Sequence, residues 1–135
     1  MDDERLRRAD AIAGRAAALD RQRDLEIAKA RGLIADFVTA MQARGVPPVQ
    51  LRARVPGRRT TYRTSRAGWY IRQNESLAIG TGGDFYVLDV PVSLRARLFG
   101  ADVQPSDPPL VLGRGARDGE SIELAELLRR ALPRS

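Results

Sequence analysis

The chain has 135 residues and a mass of 14.9 kDa, with 43% hydrophobic and 30% charged residues, a balance that suits one folded domain rather than a disordered segment. It contains no cysteine and no histidine, which excludes disulfides, thiolate nucleophiles, histidine-based triads and the commonest zinc sites within this chain. The net charge of +6 is confined to residues 46–75, where seven Arg face one acid, Glu75 (7 − 1 = +6), while residues 1–45 (9 basic, 8 acidic) and 76–135 (7 basic, 8 acidic) cancel. All but one of the 23 basic residues are Arg, Lys29 being the exception, so a coding bias raises Arg everywhere. The clustering is the informative part.

Residues 2–44 hold no Pro and only two Gly, and they are rich in Ala, Arg, Leu and Asp, which predicts a long helix. Asp2, Asp3 and Glu4 suit the positive end of its dipole. Its two parts differ. From Leu25 onward, Ile27, Ala30, Ile34, Phe37, Val38 and Met41 recur at helical spacing and predict a core-packed face over 25–44. Upstream, Leu6, Ala9, Ala13 and Ala16 make a thinner seam that Asp20 interrupts, so residues 1–24 are expected to form an exposed helical extension of a single domain spanning 25–135. Gly45 and Pro47-Pro48 end the helix.

Val49 to Val55 alternates apolar and polar residues without exception, the pattern of a half-buried strand. Thr60–Thr64, Trp69–Arg72, Leu77–Ile79 and Phe85–Val90 follow as short strands separated by Pro56-Gly57 and the glycine-rich turn at 80–84. Residues 91–109 read as a proline-rich loop with a helical turn at Leu94–Phe99, Leu110–Leu112 as one more strand, and Asp118 or Ser121 is expected to cap a closing helix over 120–132. The fold class is α+β: a long amino-terminal helix, a four- to five-stranded antiparallel meander, and a carboxy-terminal helix. Both helices are expected on one sheet face, leaving the other wet and basic.

No motif names a cofactor, a metal or a catalytic nucleophile. The glycines at 80–84 lack the Lys and the following helix of a phosphate loop. Gly113-Arg114-Gly115, before the closing helix, is crowded by Asp118, Glu120 and Glu123 and lacks the rest of a nucleotide-binding unit. The one constellation with a positive argument is the arginine cluster. Arg52, Arg54, Arg59, Arg63, Arg66 and Arg72, interleaved with Tyr62 and Tyr70, form a candidate binding site for an anionic partner, the tyrosines offering stacking faces. The expectation is a non-enzymatic interaction module for an acidic protein or a nucleic acid, with dimerisation through the first helix. The alternative is a small ligand-binding domain or an enzyme built on Asp, Glu and Arg. No apolar run nears the roughly 20 residues of a membrane span, and no signal peptide is visible, so a cytoplasmic location is expected.

Overall fold

The structure is a computed structural model that describes residues 2–113 and 121–134. Helix α1 (Asp2–Ala43) is followed by β1 (Val49–Arg54), β2 (Thr61–Tyr70), β3 (Leu77–Gly80) and β4 (Phe85–Val87), then α2 (Leu94–Phe99), β5 (Val111–Leu112), β6 (Ile122–Glu123) and α3 (Leu124–Ala131). Strands β1 to β4 form an antiparallel sheet in chain order, so the fold is the expected α+β arrangement of a long helix, a meander and a closing helix.

Two predicted strands, Thr60–Thr64 and Trp69–Arg72, are one. Strand β2 runs on through Ser65–Gly68 because a bulge absorbs the irregularity: Arg52 pairs with Arg63, but Gln50 pairs with Ala67. The Thr64 hydroxyl donates to Leu51 O (2.7 Å) and accepts from Arg66 N (3.1 Å), and Gln50 Nε2 donates to Thr64 O and Arg66 O. These side chains take over hydrogen bonds that the bulged ladder cannot make.

Alternation along the strands sorts side chains onto two faces. Trp69, Ile71, Leu77, Ile79 and Phe85 pack under α1, through Ala30, Ile34, Phe37 and Met41, and under α3, through Leu124, Leu127 and Leu128. The opposite face was expected to be wet and to carry the arginines; instead Leu51, Ala53, Val55, Tyr62, Ala78, Tyr86 and Leu88 form a second buried cluster there, joined by Ala96 and Val103. The reason is closure. Arg54 N donates to Leu88 O (2.8 Å) and Val90 N donates to Arg54 O (2.9 Å), so the chain beyond β4 pairs in parallel with the end of β1. Arg54, the last residue of β1, thus has a backbone partner on each side, and with Ala96 and Val103 over the same face its apolar side chains are enclosed.

The carboxy-terminal segment also starts later than expected. Leu124 N donates to Leu110 O (2.8 Å), and β6 pairs with β5, which holds Ile122 and Glu123 extended. Helix α3 therefore begins at Leu124 with Glu123 at its N-cap and no side-chain capping bond, so Ser121 does not cap it. The other expected cap, Asp118, and the run from Arg114 lie outside the described residues.

Helix α3 carries an exposed ion cluster in which Glu126 accepts from Arg129 (2.5 and 2.8 Å) and Arg130 (3.0 Å). Those hydrogen bonds, Arg129's first, hold the Glu126 carboxyl down at about 2 against an ordinary 4.5. A depressed carboxylate stabilises the fold above its unfolded-state value and loses that contribution as pH falls through the folded one. The gap in urea midpoint between the native chain and Glu126→Gln should hold from pH 7 to about 4.5 and close as pH falls toward 2. A gap unchanged at pH 2 would show that the cluster does not act in solution.

Candidate interaction surface

The hairpin joining β1 and β2 positions most of the arginines. Arg52 and Arg63 are cross-strand partners, and because Leu51, Ala53 and Tyr62 point into the closed cluster, both arginines point out of it. Arg52 Nε donates to Thr61 Oγ1 (3.0 Å) on the same outer side. At the turn, Gly57 has a φ of +76°, Val55 N donates to Thr60 O and Arg58 N to Val55 O, and Arg58 and Arg59 are exposed. Among the described residues, Arg52, Arg58, Arg59 and Arg63 have no carboxylate within 4.0 Å. Two like charges directly opposite on paired strands destabilise a hairpin, which gives an incoming anion something to relieve.

The other candidates are engaged within the chain. Arg54 Nε is 3.0 Å from Asp89 Oδ1, and its guanidinium donates to Asn74 O (2.7 Å). Arg66 donates to Val103 O (2.9 Å) and stands over the Tyr86 ring, 5.3 Å from its centroid. Burial pushes the Tyr86 phenol above its ordinary value, and Arg66 opposes the rise. Arg72 sits apart, in a cleft of about 650 Å³ shared with Asn74 and Arg130. Tyr62 presents no stacking face. Tyr62 is buried with its hydroxyl accepting from Ser93 N (2.9 Å), and the half-buried Tyr70 accepts from Arg52 N (2.9 Å). Trp69 is buried as well, its indole N–H donating to Val46 O (3.1 Å).

The surface has a component that sequence reasoning missed. Val92, Leu94, Leu98 and Phe99 are between 56% and 78% exposed, four large apolar side chains within eight residues. Helix α2 turns inward only Ala96. Residues i and i+4 share a helical face and i+2 lies opposite, so burying Ala96 forces Leu94 and Leu98 outward. That small residue between two leucines was the available signal.

Both ends of α2 are fixed to β2. Ser93 caps it, its hydroxyl accepting from Ala96 N (3.1 Å) while its own N–H donates to Tyr62. At the other end, Gly100 takes a φ of +87° and Ala101 N donates to Arg63 O (2.7 Å). A groove of about 530 Å³ runs between hairpin and helix, lined by Arg58, Thr61, Tyr62, Val92, Leu94 and Arg97. The groove therefore brings apolar Val92 and Leu94 beside basic Arg58 and Arg97. Replacing Ser93 by Ala removes the cap and should cost about 1 kcal/mol, read as a shift in urea midpoint; an unchanged midpoint would mean that the cap does not hold α2.

Comparisons with protein-family models, with curated proteins and with solved structures found no match to this chain. Among the described residues, no helix is long and apolar enough to cross a membrane, and no three Asp or Glu side chains come together as a metal site would require.

Proposed function

We propose that this chain is a non-enzymatic, cytoplasmic interaction module that docks an acidic, partly apolar segment of another protein on the face shared by the β1–β2 hairpin and α2, and that it works as a homodimer through α1. One observation carries the reading: exposed Leu94, Leu98 and Phe99 lie on an element anchored to the strand that bears Arg63, beside a groove edged by Arg58 and Arg97. Apolar anchors beside guanidinium groups match a partner that offers leucines and carboxylates together. A nucleic acid is favoured less, because Tyr62 and Trp69, two of the aromatic side chains of the arginine-rich strands that could stack on bases, are buried.

Fluorescence anisotropy with a labelled Glu/Leu amphipathic peptide, polyglutamate and a single-stranded oligonucleotide, each at two salt concentrations, separates the versions. Amphipathic-peptide binding lost in both Arg58→Ala/Arg63→Ala and Leu98→Ser/Phe99→Ser supports the proposal. Oligonucleotide binding that falls steeply with salt, with no peptide binding, would replace it with the nucleic-acid version. No binding of any probe at low salt would end both.

A second reading rests on the cleft containing Arg72, Asn74 and Arg130, which has room for a small anionic ligand. A thermal shift with inorganic phosphate or succinate that Arg72→Ala abolishes would favour it.

A further inference from the structure

Eleven residues of the chain are Ser or Thr, and Thr61 alone has Arg at both the third and the second position before it, Arg58 and Arg59. The fold leaves that spacing accessible. Every residue from Pro56 to Thr61 is exposed, at the outer end of the β1–β2 hairpin. Thr61 is the first residue of β2 and pairs with Arg54. Arg54 directs its N–H to Leu88 O and its carbonyl to Val90 N, away from β2. The Arg54–Thr61 pair therefore exchanges no backbone hydrogen bonds, and the Thr61 amide adds nothing to the β1–β2 ladder. The other hydroxyls of the hairpin differ. Thr64 is buried, its hydroxyl occupied by Leu51 O and Arg66 N, while Thr60 and Ser65 lack the third-position Arg.

The surroundings of Thr61 are those of an anion site. Arg52 Nε donates to Thr61 Oγ1 (3.0 Å), and Arg63 lies two residues along the same outward face. The Arg52–Arg63 pair has the same parity as Arg54–Thr61, so it too is a non-hydrogen-bonded pair, the kind whose side chains stand closer. Among the described residues, neither arginine has a carboxylate within 4.0 Å.

We infer that Thr61 accepts a phosphoryl group from a basophilic Ser/Thr protein kinase, and that the phosphate locks the hairpin by bridging Arg52 and Arg63. The carboxylates with which such a kinase selects its substrates match Arg58 and Arg59. In the transfer, the bond from the γ-phosphorus of ATP to its bridging oxygen breaks and one from phosphorus to Thr61 Oγ1 forms. The hydroxyl proton passes to the kinase's catalytic base, and ADP leaves. The product carries about −1.5 to −2 charge at pH 7 and three strong acceptor oxygens, beside a guanidinium that already donates to the esterified oxygen. Repulsion between two opposed arginines becomes shared attraction to one anion.

The site stands without the docking reading, and one consequence rests on that reading. Thr61 lines the groove together with Arg58 and Arg97, so its phosphate repels an acidic segment and closes the face to it.

The full native chain, incubated with Mg-ATP and a purified kinase selective for Arg at the third and second positions before Ser or Thr, should gain one phosphoryl group by intact mass. Fragmentation should place it on Thr61. Thr61→Ser should still accept it, and the β-branched Thr61→Val should lose it while keeping the native circular dichroism spectrum. No incorporation into the folded native chain, or incorporation at Thr60 or Ser65 instead, overturns the inference. The phosphorylated chain should unfold at higher urea than the unmodified one, by a margin that shrinks in high salt and vanishes in Arg52→Gln/Arg63→Gln. An unchanged or lower midpoint overturns the lock. Anisotropy with the Glu/Leu peptide then separates the two readings. Phosphorylation should weaken peptide binding at least about tenfold, since like charges are brought together, and unchanged binding overturns the consequence for docking. A native chain that never binds the peptide, yet accepts the phosphate and gains stability from it, ends the docking proposal and supports this site.

Discussion

Replacing Gly68 by Ala should destabilise the fold by at least about 3 kcal/mol, at the severe end of what single substitutions do. Gly68 lies on β2, opposite Gly80 of β3 and Val49 of β1. A Cβ there would overlap the Ile79 carbonyl oxygen and stand 2.8 Å from the Gly80 Cα. Both are backbone atoms of the neighbouring strand, so no rotamer change relieves the clash. The strands must separate, at the expense of the pairs Trp69–Ile79 and Tyr70–Ala78 that continue the ladder. Small domains are stable by only about 5–15 kcal/mol, so a large fraction of the folding free energy is at stake. Urea unfolding followed by the emission of Trp69, the one tryptophan, reads the loss directly. Gly32→Ala serves as a counter-case, since its added methyl has nothing within 4 Å and replaces glycine inside a helix. That change should stabilise by roughly 0.5–1 kcal/mol. A Gly68→Ala variant within 1 kcal/mol of the native chain would mean that β2 and β3 do not approach as described.

Local pattern carried some elements and not others. The buried stripe of α1 and the alternation of β1 were legible because each expresses one period over many residues. The merger of two predicted strands into β2 was not, since it depends on Thr64 and Gln50 bonding across the bulge to groups 13 to 16 residues away. Closure of the sheet is less visible still: Arg54 and Leu88 meet through backbone groups that every residue possesses. That long-range pairing, with Ala96 and Val103 over the same face, turned the expected wet face into a second core. Alternation rightly suggested that Arg52 and Arg54 share a strand face, yet it could not show that Asp89 returns beside Arg54 and leaves Arg52 without such a partner. The same blindness hid the α2 patch, because whether a short apolar helix is buried depends on how much of it the sheet has room to accept.

Phe37→Ala should cost about 3–5 kcal/mol and shift Trp69 emission to the red in the folded state. Phe37 is 3% exposed, and its ring meets the Trp69 indole edge-on, with 6.3 Å between centroids and planes at 85°. The contact joins α1 to β2, and Trp69 in turn donates to Val46 O, just past the helix, so one cluster fixes both the helix and its exit. Truncation leaves a cavity that Ile34 and Met41, one turn away on each side, cannot fill without abandoning their own contacts. Leu25→Ala is the matched control. It lies on the same helix but is 72% exposed and should change stability by less than about 0.5 kcal/mol. The contrast tests whether α1 is two physical regimes in one continuous helix, anchored by its last four turns and projecting with the rest. A folded Phe37→Ala variant within about 1 kcal/mol of the native chain would mean that α1 is not anchored through this contact.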